Sequence, residues 1–85
     1  MAWRITFSED AWREFRALPE GQLEQLHTVL VNSWIPDGPQ HDRAALVAGI
    51  QVLEAAFAFG VTVRWVDRYV DADEVSILKV KVDDP

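Results

Sequence analysis

Residues 52–82 read VLEAAFAFGVTVRWVDRYVDADEVSILKVKV, and this stretch decides the fold because it contains three successive β-runs. In Val52–Phe59 and Val61–Val66, large apolar residues alternate with smaller or polar ones, as in strands with one buried face. Gly60 separates these runs, and an acidic stretch separates the second from Val75–Val82. Short links between successive strands predict an antiparallel meander.

Before this stretch, the sequence predicts one strand and two helices. Apolar and polar residues alternate over Trp3–Phe7, which indicates a strand. Ser8 fits a helix N-cap, and the apolar spacing after it predicts a helix over Glu9–Leu18. A second amphipathic helix is predicted to begin at Pro19 and to end before Pro36, because proline suits a first turn and interrupts a helix later on.

These elements predict one α+β domain over residues 1–85, with the order β-α-α-β-β-β. We expect the two helices to form a hairpin packed on one face of a mainly antiparallel four-stranded sheet. The sequence alone leaves the secondary structure of residues 40–51 undecided. Their alanine-rich centre fits a short helix, and equally they fit a loop that ends at Gly49.

The composition excludes several classes of protein. The 14 acidic and 8 basic residues give a net charge of −6, and the basic residues form no run, so nucleic acid is an unlikely partner. There is no cysteine, which rules out disulfides and fits a reducing cytoplasm. No apolar run is long enough to span a membrane, and the first residues do not resemble a signal peptide. We expect a cytoplasmic protein without a cofactor.

Four segments carry a family resemblance. Residues 3–19 read WRITFSEDAWREFRALP, residues 46–49 read LVAG, residues 59–67 read FGVTVRWVD and residues 75–82 read VSILKVKV. They resemble four segments of the RelE/ParE toxin superfamily. The first is similar to the family's first strand and its helix ending in Leu-Pro, and the second to its Leu-x-Gly element. The third is similar to its Gly-x-Arg-x-x-Tyr segment, and the fourth to its final strand. These proteins are the toxins of bacterial type II toxin–antitoxin pairs. The resemblance covers nearly the whole chain and implies the same α+β fold.

The chain departs from this family where the resemblance implies catalysis. The mRNA-cleaving members carry basic residues on the second and third strands of the sheet and near the C-terminus, where such groups hold phosphates and stabilise developing charge. The matching positions here are Glu54, Ala56 and Thr62, and the tail reads Asp83-Asp84-Pro85. Arg64 lies two residues beyond Thr62 on the same strand face. We therefore expect a degenerate member that has lost ribonuclease activity.

The weak catalytic candidates that remain are Arg64, His41 and Arg43. His41 with Asp42 is a pair typical of an oriented acid or base, and an arginine next to it suits an anion. Neighbours in a loop seldom point at one another, so a solvated loop explains the same residues. Glu54 is expected to pair with Arg64 across the sheet. The two histidines lack the spacing of metal ligands, so we expect no metal site.

A surplus of apolar residues predicts a protein interface. With strict alternation, both faces of Val75–Val82 are partly apolar, and one helix hairpin covers only one face of a sheet. The expected partner-binding residues are Trp12, Trp65, Val75, Ile77, Lys79 and Lys81. A core that wraps both faces explains the same pattern. Lys79 and Lys81 would also form a basic sheet face with Arg4 and Arg64 if their strands are neighbours.

Three functions are compatible with these features. The first is a small toxin-like module that acts mainly by binding a protein, either a cognate antitoxin, as the resemblance implies, or a second copy of itself. The second is an active mRNA-cleaving toxin that uses Arg64, Arg43 and His41. The third is an acidic adaptor or inhibitor, of the immunity or phage type, that binds a basic protein. We prefer binding to catalysis because the basic groups expected in the family are replaced.

Overall fold

A computed structural model, which describes residues 2–69 and 73–83, has the predicted α+β architecture. The elements are β1 (Arg4–Phe7), α1 (Glu9–Arg16), α2 (Glu20–Val29), a π-helical turn (Leu30–Trp34), α3 (Ile35–Asp37), β2 (Arg43–Val47), β3 (Ile50–Phe57), β4 (Val61–Tyr69) and β5 (Glu74–Val82). Residues 70–72 of the predicted acidic loop, and Asp84-Pro85 of the acidic tail, lie outside the described residues.

The sheet has five strands, so the prediction of four was wrong. Its order is β1-β5-β4-β3-β2, with β1 parallel to β5 and every other pair antiparallel. The additional strand, β2, lies in the stretch that fitted either a helix or a loop. Ala48 and Gly49 link it to β3 with φ of 51° and 80°, which is typical of a type I′ hairpin turn. Alanine seldom adopts a positive φ, so the sequence did not signal this turn.

A bulge in β5 changes which of its residues face the helices. Arg64 pairs with Lys79 and Trp65 pairs with Ile77, so Leu78 is an extra residue with no partner on β4. Alternation therefore restarts after Leu78, and Val80 joins Ile77 on the buried side. The prediction that both faces of this strand are apolar was wrong, because it assumed an unbroken period of two.

The helical layer follows the predicted pattern with shifted ends. The Oγ of Ser8 accepts a hydrogen bond from the Ala11 N–H at 3.1 Å, which confirms the N-cap of α1. Helix α1 ends at Arg16, two residues before the predicted end. The second helical segment continues past the predicted stop, because a π turn precedes Pro36. This wider turn relieves the clash that a proline ring makes with the carbonyl group four residues before it.

The core lies between the helices and one face of the sheet. Trp34 on the π turn and Trp65 on β4 meet with their ring centroids 4.7 Å apart. The buried hydrophobic residues are Ala11, Phe15, Leu18, Leu26, Leu30, Trp34, Leu53, Ala55, Val61, Val63, Trp65, Val75, Ile77 and Val80. No helix of the described residues covers the opposite face of the sheet, called here the outer face. No helix in the described part of the chain is both long and apolar enough to cross a membrane.

Trp3 closes one end of the helical layer by packing on Gly38. The Trp3 N–H donates to the Ile35 carbonyl at 2.7 Å, which ties the start of β1 to the end of the helices. Gly38 has φ of 89°, and a Cβ built on it would lie 2.8 Å from two atoms of the Trp3 indole. Only glycine fits this contact without displacing the ring.

We predict that Gly38→Ala destabilises the fold by about 2–4 kcal/mol, because the variant adds a steric clash to an unfavourable φ. Gly49→Ala is the matched control: its φ is 80°, yet nothing lies within 4 Å of the added Cβ. We expect the control to cost about 1 kcal/mol. Urea unfolding measures both values, and equal losses would contradict a specific role for the Trp3 contact.

Candidate functional site

A row of charged side chains crosses the outer face of the sheet. Arg43 on β2 is opposite Glu54 on β3, Glu54 is opposite Arg64 on β4, and Arg64 is opposite Lys79 on β5. The Arg64 Nε donates to Glu54 Oε2 at 2.7 Å, which confirms the predicted cross-strand pair. The register of four strands thus brings together side chains that are far apart in the sequence.

Helix α1 contributes a carboxylate to the end of this row. Beyond Phe7, strand β1 no longer covers the edge of β5, and Glu14 takes its place. Its carboxylate accepts from Lys79 Nζ at 2.8 Å and from the Val80 N–H at 3.1 Å. Glu14 therefore satisfies a free main-chain donor and also neutralises a lysine of the row.

The electrostatics of Glu14 favour its charged form. Partial burial alone raises the pKa of this carboxyl, but the Lys79 hydrogen bond, the Val80 N–H and the Lys79 charge together outweigh burial. The pKa of Glu14 is consequently lower than usual, and the ion pair with Lys79 is present at neutral pH.

Two shallow clefts flank the row. The smaller has a volume of about 110 Å³ and is lined by Glu54, Thr62, Arg64, Lys79, Lys81 and Asp83. Thr62 donates its hydroxyl to Asp83 Oδ1 at 2.7 Å in this cleft. Three cations here are typical of a phosphate contact, but two carboxylates share the same space and offset their attraction for an anion.

The larger cleft is mainly apolar and lies beside the β2–β3 hairpin. Its volume is about 350 Å³, and it is lined by Arg43, Ala44, Ala45, Val47, Val52, Glu54 and Arg64. Arg43 has no ion-pair partner among the described residues. The cleft thus combines an aliphatic floor with one available guanidinium group.

The candidate trio His41, Asp42 and Arg43 does not assemble into a catalytic group. The Asp42 carboxylate accepts from the Ala56 N–H at 2.8 Å, and the Asp42 N–H donates to the Glu54 carbonyl at 2.8 Å. Asp42 thus extends the β2–β3 ladder and does not orient the imidazole. His41 is exposed and lines neither cleft. Within the described residues, no three histidine or carboxylate side chains gather as a metal site would require.

The predicted partner-binding residues divide into two groups. Trp65, Val75 and Ile77 have 0% exposure and lie in the core, so they are corrected to structural residues. The β5 bulge and the inward face of β4 explain their burial. The exposed group is Trp12, Lys79 and Lys81.

Trp12 lies on α1 and is 46% exposed. Its ring stacks on Phe15 at a centroid distance of 5.9 Å and meets the edge of Phe7 at 5.5 Å. Two aromatic neighbours hold the indole in one orientation. The Arg16 guanidinium also lies over the ring, with its Cζ 6.0 Å from the ring centroid, and the rest of the exposed surface faces solvent. Such a fixed, half-exposed tryptophan suits an interface.

A second exposed apolar group was not predicted from the sequence. Leu46, Val47 and Ile50 lie at the tip of the β2–β3 hairpin and are 78%, 57% and 59% exposed. The helices cover β3 only from Leu53 onward, so the hairpin extends past the helical layer. The apolar residues on both sides of Ala48-Gly49 could have indicated this exposed hairpin. They do so only if Ala48-Gly49 is first recognised as a hairpin turn.

Comparison with known proteins finds similarity in solved structures alone. No protein-family model and no curated protein matches the chain. The isolated RelE toxin of E. coli is 20% identical, over 99% of this chain and 87% of that chain, with a TM-score of 0.73. The RelBE2 toxin–antitoxin complex of Mycobacterium tuberculosis is 13% identical over 96% and 99%, with a TM-score of 0.78. An archaeal RelE–RelB complex from Pyrococcus horikoshii OT3 is 16% identical over 96% of each chain, with a TM-score of 0.63.

These similarities show that the chain has a RelE-like fold over nearly its whole length. The fold implied by the sequence resemblance is therefore confirmed. At 13–20% identity, the likeness concerns the path of the backbone and leaves the chemistry of the outer face to be argued from this chain's own residues.

We predict that Glu14→Gln lowers stability at pH 7 by about 0.5–1 kcal/mol, the range of partly exposed ion pairs. Because the pKa of Glu14 is lowered on folding, its contribution is present above the ordinary glutamate pKa of about 4.3 and is lost as the pH falls through the lower folded value. The stability difference between wild type and variant should therefore shrink below that range.

Chemical unfolding at a series of pH values measures this difference. Glu24→Gln is the matched control, since it removes the same charge from an exposed position on α2. A gap between wild type and Glu14→Gln that stays constant down to pH 2, about two units below the ordinary pKa, would contradict the assigned role of Glu14.

Proposed function

We propose that this protein is a toxin-like module of a type II toxin–antitoxin system and that it acts mainly by binding a protein partner. The observation that carries the proposal is the RelE-like fold, shared over almost all of the chain with toxins, two of which were solved as complexes with an antitoxin. The lack of cysteine supports a reducing cytoplasm as its location.

The charges of the outer face support binding over RNA cleavage. Arg64 is paired with Glu54, and Lys79 is paired with Glu14. An RNA phosphate that approached either cation would displace a carboxylate or remain next to it, and both outcomes cost electrostatic energy. Asp83 adds a third negative charge beside Lys81. The net charge of −6 opposes a polyanion at longer range as well.

Trp12 is the residue that we assign to the partner surface. It has a large ring, a fixed orientation and nearly half of its surface exposed. Interfaces gain most of their affinity from a few such aromatic anchors. Lys79 and Lys81 belong to the rim of the outer face, where we expect them to steer the approach of the partner and to add little affinity.

Co-expression with the products of the adjacent reading frames tests this proposal. We expect one of them to form a stable complex, and we expect Trp12→Ala to weaken that complex at least tenfold, as loss of an aromatic anchor does. Val31→Ala is the matched control, because Val31 is an apolar helical residue that is 45% exposed. A protein that stays alone with every neighbouring product, or a complex that Trp12→Ala leaves unchanged, would contradict the proposal.

The salt dependence of the same complex separates an antitoxin-like partner from the basic target of an acidic adaptor. Apolar docking on Trp12 keeps its affinity as ionic strength rises, whereas steering by a negative surface weakens steeply. A complex that dissociates above about 0.3 M salt would therefore favour the acidic adaptor.

A second candidate function is cleavage of RNA, and one observation favours it. The strand register gathers Arg64, Lys79 and Lys81 around one cleft, together with the Thr62 hydroxyl. A phosphate needs such donors, and a partner or substrate that displaced Glu54 would release Arg64 for this purpose. No imidazole lines the cleft, so proton transfer would need another group.

Expression in a bacterial host tests this second function. An active nuclease arrests translation, and Arg64→Ala should relieve the arrest by at least tenfold in surviving colonies, since removing one transition-state donor costs about 10²-fold or more in rate. Arg13→Ala is the matched control, because Arg13 is exposed on α1 and its ion pairs with described residues lie within that helix. Normal growth at high expression of the wild type would reject this function.

A further inference from the structure

Among the described residues, strand β2 pairs on one side only and leaves its other edge open at the end of the sheet. It is the terminal strand in the order β1-β5-β4-β3-β2, and all five of its residues are exposed. The two-residue turn at Ala48-Gly49 makes Val47 and Ile50 a hydrogen-bonded pair, so residues 43, 45 and 47 bond to β3. The N–H and C=O groups of Ala44 and Leu46 consequently face the open edge.

This edge lacks most of the features that usually block strand pairing. Proteins protect open edges with charges, prolines or bulges. Here the only charge on the strand is Arg43, at its start, and the stretch from Arg43 to Leu53 contains no carboxylate in a protein that has 14. The edge is flanked by Leu46, Val47 and Ile50, which are exposed on both faces of the hairpin. It is therefore an apolar segment without carboxylates in a protein of net charge −6.

We propose that β2 pairs antiparallel with β2 of a second copy of this chain, about a two-fold axis at Ala45. The two sheets then form one continuous sheet of ten strands. In this register Ala44 lies opposite Leu46 of the second copy, and each such pair exchanges two main-chain hydrogen bonds. The groups that face the open edge are the ones that this register uses, so the strand is complementary to itself.

Charge and size favour this register over others. The two Arg43 side chains lie at opposite ends of the paired strands, about 13 Å apart along the strand. This exceeds the Debye length of about 8 Å at physiological salt, so their repulsion is small. A parallel pairing would place them side by side, and a shift of one residue would bring unmatched main-chain groups together. The small side chains of Ala44 and Ala45 permit close approach at the axis.

The proposed dimer goes beyond the proposed function and does not depend on it. It requires no second protein, and it forms at the edge of the sheet opposite β1. Trp12 packs on Phe7 of β1, so the surface assigned to a protein partner stays free in the dimer. The two proposals are therefore tested separately, and either one can fail alone.

Single-cysteine variants of the full chain test the two-fold axis, because the wild type has no cysteine. In Ala45→Cys, the thiols of the two copies face each other in a pair whose Cα atoms are about 4.5 Å apart, within reach of a disulfide. Ala44→Cys is the matched control: its two Cα atoms would be roughly 9 Å apart, beyond the limit for a disulfide of about 7 Å.

Mild oxidation of the purified variants, followed by a non-reducing gel, should give at least about tenfold more cross-linked dimer for Ala45→Cys than for Ala44→Cys. Equal cross-linking of the two variants would indicate random collision and overturn the proposed register. A monomeric Ala45→Cys would overturn the dimer itself.

Sedimentation of the cysteine-free protein provides an independent measurement. We expect the wild type to shift from monomer to dimer over a range of about 1–500 μM, since so short an interface lies at the weak end of known sizes. Leu46→Lys places a charge at the edge and should stay monomeric. Val31→Lys adds the same charge to an exposed helical site and should dimerise as the wild type does. A wild type that is monomeric throughout, or a Leu46→Lys that dimerises equally, would overturn the proposal.

Discussion

The bulge at Leu78 is the constraint on which both faces of this protein depend. Without the extra residue, Val80 would face solvent and Lys79 would point toward the helices. With it, Val75, Ile77 and Val80 all pack into the core, and Lys79 joins Arg64 on the outer face. One inserted residue therefore completes the hydrophobic core and also assembles the charged row. The edge of β5 that β1 leaves open beyond Phe7 is covered by Ser8, the N-cap of α1, and by Glu14 within that helix.

The sequence was sufficient to predict which strand residues are buried where the period of two is regular, and insufficient where that period is interrupted. Leu53 and Ala55 on β3, and Val61 and Val63 on β4, alternate without interruption, and all of them are buried as the period of two indicates. Trp65 follows the same period and is buried, so its assignment to a partner surface was wrong although the pattern indicated the core. β5 follows the same rule only as far as the bulge, which no residue type announces. β2 was missed for a different reason. Its alanines favour a helix, and the strand conformation comes from pairing with β3 and from a turn that alanine rarely adopts.

Some features of the candidate site could be predicted from the sequence, and others could not. The pairing of Glu54 with Arg64 follows from charge and strand order, and it was predicted from them. The position of Lys79 next to Arg64, and its contact with Glu14, depend on a register that only the folded chain reveals. The acidic and neutral residues at Glu54, Ala56 and Thr62, where the resemblance implies basic ones, are visible in the sequence. The carboxylates that pair with Arg64 and Lys79 come from two distant segments, and Asp83 from a third lines the cleft beside Lys81. For this reason the electrostatic character of the outer face follows from topology more than from composition.

The parallel pairing of β1 with β5 also governs when the protein is able to fold. Each pair in this ladder joins residues 70 positions apart, for example Phe7 with Ile77. On the ribosome, β1 and the helices are synthesised long before β5, and until β5 has emerged the apolar side of β1 has no neighbouring strand. During that interval the nascent chain exposes Ile5 and Phe7 to chaperones and to other chains. The time needed to translate the residues between β1 and β5 thus sets a minimum delay before the native topology forms, however fast the folding steps that follow are.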